Sequence, residues 1–205
     1  MLGTHDLLLF VLSALLLNIT PGQDTLYIVS RSASQGGRAG AVAALGIGAG
    51  CLVHITAAAF GLSAVLAAST SAFTLLKLAG AAYLVYIGVS LLRSGRAAAA
   101  VSLPRDTLRS IFVQGFWTNV LNPKVALFFL AFLPQFVDAR AAGSPIPFLF
   151  LGLVFNLNGT LWNLFVAWSA AQVGRALHGA AALWFNRGVG ALFVNLGARL
   201  AWTEK

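Results

Sequence analysis

The chain has 205 residues, 59% of them hydrophobic and 9% charged, with a mean hydropathy of +0.87. Soluble domains carry about 25% charged residues, so this composition excludes a water-soluble fold and leaves no length for a second, soluble domain. The net charge of +8 comes from 13 Lys and Arg set singly in short connections, without the basic stripe of a nucleic-acid binder. Such scatter fits loops beside anionic lipid. The single cysteine, Cys51, excludes an intrachain disulfide or a cysteine metal cluster and reads as a packing residue in an apolar run. A cleavable leader is not expected. The start lacks a basic region, and the first apolar stretch carries Pro-Gly-Gln-Asp where cleavage needs small residues.

A membrane helix needs about 20 apolar residues. Six stretches qualify: residues 7–29, 40–68, 74–92, 111–137, 146–171 and 181–202. The expected fold is an all-α integral membrane protein of six transmembrane helices, residues 1–205 forming a single transporter domain.

The first stretch is interrupted by Asn18-Ile19-Thr20-Pro21-Gly22-Gln23-Asp24. Proline removes a backbone donor and clashes with the preceding turn, and glycine adds freedom, so the helix is expected to break at Pro21-Gly22. Asp24 follows at bilayer depth, where a carboxylate costs about 2.5–3.5 kcal/mol on insertion scales unless it meets a partner or water. Broken backbone at that depth is tolerated only inside protein or along a cavity. The bland alternative is a kinked span whose Asp24 snorkels to one interface.

Residues 31–38 form a basic, glycine-rich connection. The second span carries Gly46 and Gly50, a pair of small residues one turn apart that lets helices approach closely, here inside the monomer. His54 lies one turn further on. It is either a neutral histidine bonded to a neighbouring helix or a proton relay, since histidine titrates near neutrality. Residues 94–110 are the longest polar segment and read as a flexible linker between the halves. The fourth span is interrupted in turn by Asn119-Val120-Leu121-Asn122-Pro123-Lys124. Asn156, Asn158 and Asn163 make the fifth span unusually polar. Asn156 and Asn163 are seven apart and share a face, which suits a cavity wall or interhelical hydrogen bonding. Trp117, Trp168, Trp184 and Trp202 fall near span ends as interface anchors, with Trp162 the exception.

Orientation follows from Lys and Arg. The odd connections hold eight (Arg31, Arg38, Arg93, Arg96, Arg105, Arg109, Arg175 and Arg187), the opposite side four (Lys77, Arg140, Arg199 and Lys205). The positive-inside rule then places the odd connections in the cytoplasm and both termini outside; a first span that failed to insert would leave five.

The two interruptions share a pattern: asparagine, proline, then an ionisable residue. Gly80-Ala81-Ala82-Tyr83-Leu84-Val85 in span three echoes Gly190-Ala191-Leu192-Phe193-Val194-Asn195 in span six. Together they suggest two three-helix repeats, about 1–93 and about 111–205, which insert with opposite orientations because three is odd. Paired interrupted spans point to a transporter site at the midplane and to alternating access. The competing explanation is coincidence among Ala-, Gly- and Leu-rich helices.

Where the breaks meet, Asp24 offers a negative charge and Lys124 a positive one, and each second half-helix presents free N–H groups and a positive dipole end. This suits a free amino acid, its ammonium on Asp24 and its carboxylate on Lys124, with Asn18, Thr20, Gln23, Asn119 and Asn122 as neutral partners. The alternative is a permanent Asp24–Lys124 ion pair. Asp24 and His54 are the candidates for proton coupling. No paired carboxylates, histidine cluster or phosphate loop appears, so no enzymatic site, metal site or cofactor is expected.

The segments TPGQDTLYIV (residues 20–29), SASQGGRAGAVAALGIGAG (32–50), LKLAGAAYLVYIG (76–88), NVLNPKVALFFLAFLPQFV (119–137) and NRGVGALFVNLGARLA (186–201) resemble the LysE/RhtB family of amino-acid exporters. The Pro-Gly and Asn-Pro-Lys motifs are the specific parts. Gln23 stands where that family usually has a second proline, while Pro21, Gly22 and Asp24 keep the pattern. The resemblance implies efflux of amino acids or close derivatives, such as homoserine, threonine, homoserine lactones, leucine or basic amino acids. It also implies a proton gradient as driving force and the bacterial inner membrane as location. The implied partners are the small-molecule substrate, protons and membrane lipids, with a homodimer compatible. The other readings are an exporter of another small solute or metal ion, and a non-transporting membrane partner subunit.

Overall fold

The computed structural model describes residues 2–62 and 105–173, with three isolated positions between these stretches. The expected spans 74–92 and 181–202, and the echo between them, lie outside the described residues. Among the described residues the chain is helical, without a strand; an isolated antiparallel bridge joins Thr4 to Val137. Helices α1 (Leu7–Ile19) and α2 (Gln23–Gln35) form one bent pair, followed by α3 (Gly37–Thr56), which runs on as a wide turn over Ala57–Leu62. Then come α4 (Leu108–Val120), the short α5 (Pro123–Leu127) with its wide and tight turns to Phe136, and α6 (Pro145–Val173).

Both expected breaks are present. At the first, Thr20 leaves helical geometry (φ −62°, ψ 117°) and Gly22 is extended ahead of α2, so the axis bends by 53°. At the second, Asn122 caps α5 and Pro123 takes its first position, where a missing N–H costs nothing; that bend is 44°. Among the described residues, segments Gly37–Leu62 and Pro145–Gln172 are long and apolar enough to cross a membrane, and the two bent pairs raise the count to as many as four if each is one span.

One boundary differs in a way that matters. The first bent span extends to Gln35, not to residue 29, and Arg31, expected in a loop, lies inside α2 with 2% of its surface exposed. Helix continues there because Arg31 finds polar partners across on α4. The turn into α3 is a single residue, Gly36, at φ +86°, a conformation that a side chain would strain. Helix α4, at the place of the expected fourth span, begins at Leu108, three residues ahead of the expected start, because Thr107 caps it by accepting from the Ser110 amide at 3.2 Å.

Helices α3 and α4 pack almost backbone to backbone. A Cβ on Gly46 or Gly50 would collide with the Phe112 or Phe116 carbonyl, and one on Gly115 would sit 2.7 Å from the Ala43 carbonyl. The small-residue pair therefore packs within the monomer, as expected. At one end, an aromatic core joins Phe10, Phe128, Phe129, Phe136, Phe148 and Phe155, with the Phe128 and Phe155 rings stacked at 4.5 Å. There the N-terminal segment is tied in by the Asp138 amide donating to the Gly3 carbonyl at 2.9 Å and the His5 amide to the Phe136 carbonyl at 3.1 Å. On α6, exposed Leu153, Leu157, Leu161, Phe165 and Trp168 share one face. An apolar stripe of this kind suits lipid tails.

Candidate functional site

The two breaks meet. Asn119, in the last turn of α4, donates through Nδ2 to Asp24 Oδ2 at 2.9 Å. Lys124, in the first turn of α5, donates through Nζ to the Thr20 carbonyl at 2.8 Å. Each break thus supplies a side chain to the other. Thr20 is buried, and its hydroxyl donates to the Leu16 carbonyl at 2.7 Å, closing the last turn of α1. The Asn122 amide oxygen accepts from the Lys124 N–H at 3.0 Å, which fixes where the Lys124 side chain starts. The Lys124 side chain runs past Gly22, with Nζ 3.7 Å from where a Cβ would lie, an ordinary contact distance.

Among the described residues the ion pairs within 4.0 Å are His5–Asp6 and Arg31–Asp106, so Asp24 and Lys124 are not directly paired. Both charges are instead held by neutral groups. Asp24 Oδ1, Asn18 Nδ2 and Asn119 Oδ1 are buried without a hydrogen-bond partner among the described residues. Leaving such atoms unmet costs about 1–3 kcal/mol each, so this corner suits a bound water or a polar ligand group.

Asn18, Asp24 and Asn119 line one polar cavity of about 20 Å³, room for a single water molecule. Its far wall comes from α6, through Asn156, Thr160 and Asn163, and from Gly48 and Cys51 of α3. The shared face of Asn156 and Asn163 is therefore a cavity wall. Cys51 is buried and free within it. His54 Nε2 donates to the Asn119 carbonyl at 3.0 Å, and its ring stacks on Phe129 at 6.0 Å, so it is bonded to a neighbouring helix. Of the expected site residues only Asn18, Asp24 and Asn119 line this cavity; Thr20 and Asn122 are buried outside its lining, Pro21, Gly22 and Lys124 are half-buried at the breaks, and Gln23 and Pro123 are exposed.

A second polar cluster lies along the same two helices, which run antiparallel from Asp24–Asn119 outward. Arg31 donates through Nη2 to Asp106 Oδ2 at 2.6 Å and to Gln114 Oε1 at 2.7 Å, and through Nη1 to Gln35 Oε1 at 3.0 Å. Gln35 Nε2 donates to the Asp106 carbonyl at 2.8 Å, and the Asp106 N–H donates back to Gln35 Oε1 at 2.9 Å. The Arg31 guanidinium lies 5.5 Å from the Tyr27 ring, and the Tyr27 hydroxyl donates to the Ile111 carbonyl at 2.9 Å. The Gln114 amide, followed by Arg31, holds the Asp106 carboxyl below its usual range. Sequence reasoning missed this cluster. Its signal was the spacing of Tyr27, Arg31 and Gln35, four apart on one helical face.

Residues 15–204 match the model of the LysE type translocator family. The chain is 32% identical to an uncharacterized membrane protein of Pseudomonas aeruginosa, over 98% of this chain and 96% of that one. It is 31% identical to an uncharacterized membrane protein of Bacillus subtilis, over 80% and 82%. It is 29% identical to a leucine efflux protein of Enterobacter sp. (strain 638), over 97% and 96%. No solved structure matches the chain.

Proposed function

The chain belongs to the LysE type translocator family, and from that premise we propose that it exports an amino acid or close derivative across the bacterial inner membrane, driven by the proton gradient. It is a transporter and not an enzyme. The similarity to leucine efflux proteins supports an amino acid as cargo.

The observation that carries the proposal is the meeting of the two breaks. Asp24 and Lys124 each make a neutral hydrogen bond across the junction, to Asn119 and to the Thr20 carbonyl, and neither is spent on the other. The substrate ammonium then replaces Asn119 on Asp24, and its carboxylate replaces the carbonyl on Lys124. Pro21 and Pro123 keep the backbone open beside Gly22, Asn122 holds the start of α5, Asn18 offers its amide to the substrate, and Gln23 lies at the rim.

The cavity of about 20 Å³ is too small for an amino acid, so binding requires α1, α4 and α6 to separate. The Arg31–Asp106 cluster closes the α2–α4 seam on what the Lys and Arg bias makes the cytoplasmic side, and removing the buried Arg31 from that count leaves the bias in the same direction. This supports alternating access, with opening of the seam admitting the substrate. His54 bonds the carbonyl of the residue whose side chain holds Asp24, which supports that pair as the proton-coupling groups. Six spans in one domain, as two inverted three-helix repeats with both termini outside, complete the reading. Protons, membrane lipids and, in a homodimer, a second copy are its remaining partners.

The test is efflux of a panel of labelled amino acids from loaded proteoliposomes, with and without an imposed pH gradient. Gradient-dependent flux of one group is expected. Absence of flux for every amino acid, with folded and inserted protein, would overturn the proposal.

A further inference from the structure

With the two charges of an amino acid assigned to Asp24 and Lys124, what remains to be read is its side chain, and α6 supplies a polar wall to the cavity that Asp24 lines. On α6, Asn156, Thr160 and Asn163 fall on one face and line the cavity, while Leu157 and Leu161 face outward. Asn163 is 9% exposed, and Thr160 donates to the Asn156 amide oxygen at 3.4 Å. This wall offers donors and acceptors and no charge. Two glycines bound its space. A Cβ on Gly48 would lie 2.8 Å from Thr160 Oγ1, and one on Gly159 would lie 3.0 Å from the Asn18 amide oxygen.

We propose that Asn156, Thr160 and Asn163 are the specificity-determining residues of the exporter, taking a short, uncharged, hydrogen-bonding side chain such as a hydroxyl or amide, with Gly48 setting its size limit. The proposal rests on the exporter reading above. The physical ground is asymmetric. Ile47, Cys51, Val125 and Phe155 also line the cavity, so the discrimination falls to the α6 amides: a hydrocarbon side chain set against them leaves them unpaired, and a buried unpaired polar group is costly. A cationic or anionic side chain fares no better, because this wall holds no opposite charge.

The experiment compares isosteres in proteoliposome counterflow: threonine against valine and asparagine against leucine, with lysine and aspartate as charged controls. The wild type is expected to favour threonine over valine and asparagine over leucine by about tenfold or more. Asn163→Leu and Asn156→Val are each expected to erase most of that preference. Gly48→Ala is expected to lower flux of asparagine more than that of serine. Thermal unfolding of each variant checks its fold, and Asn163→Ser, which keeps a hydrogen-bonding group, is expected to restore the preference. A wild type that moves valine as well as threonine overturns this inference and leaves the exporter reading intact. Variants that fold and lower every substrate alike also overturn it. No flux of any amino acid by the wild type overturns the exporter reading itself.

Discussion

The Lys124 ammonium lies 2.8 Å from the Thr20 carbonyl oxygen, so the second interrupted span supplies the donor for a carbonyl that the first interruption leaves free. A second bond crosses in the same direction, from Asn119 Nδ2 to Asp24 Oδ2 at 2.9 Å. The second interruption therefore satisfies acceptors of the first. Irregular backbone at bilayer depth needs such partners.

Lys124→Met removes a charge-assisted hydrogen bond worth about 1.5–3 kcal/mol, and Asp24→Asn removes the charge expected to meet the substrate. Efflux is expected to fall at least about tenfold in both, with membrane abundance little changed. Quantitative immunoblotting beside proteoliposome flux measures the two separately, and normal flux in either variant would refute its site assignment.

Asp106 provides a signed pH test. Its folded carboxyl is held below the usual value of 3.8, first by Gln114 and then by Arg31. A lowered folded value means that the ionised form is stabilised. The contribution is present above the unfolded value and lost as pH falls through the lowered one. The thermal midpoint of Asp106→Asn in detergent is therefore expected below that of wild type, by an amount constant from about pH 5 to about pH 8 that closes in stronger acid. A gap that varied across neutral pH would assign the dependence to another group.

Gly50→Val forces a side chain into the Phe116 carbonyl and pushes α3 from α4. Overpacking of this kind costs about 1–3 kcal/mol and is expected as a lower unfolding midpoint together with reduced flux, because Asn119 moves with α4. Gly61→Ala is the control, since among the described residues a Cβ there meets nothing within 4 Å. Its midpoint and flux are expected to equal those of the wild type.

The two helix caps separate stability from transport. Thr107→Ala and Asn122→Ala each remove a side-chain oxygen that accepts a helix N–H, and each is expected to cost about 1 kcal/mol. Only Asn122→Ala is expected to lower flux as well, because Asn122 fixes the backbone from which Lys124 reaches Thr20. Equal flux in both variants would show that Lys124 needs no such support.

Much of the arrangement was legible before the fold. Pro21-Gly22 and Asn122-Pro123 break helices through local geometry, and the breaks lie where those residues do. Asn156 and Asn163 share a face by helical spacing alone, and they line the cavity. Arg31 was misplaced because a lone arginine near a glycine-rich stretch looks the same in a loop as in a helix. What buries it is Asp106, 75 residues away. Gly48 and Gly159 carried no local signal either, since their role depends on Thr160 and Asn18 arriving from other helices.

By itself, then, the sequence determined the membrane class, the two interruptions, the charged residue at each and the family pattern, since apolar length, missing N–H groups and residue identity are local properties. The tertiary structure decided that Asp24 faces Asn119 rather than Lys124, that α6 closes the polar cavity and that Arg31 is a buried clasp rather than a loop charge. Those outcomes depend on how closely α3 and α4 approach, and glycines set that distance only when the opposing backbone is in place.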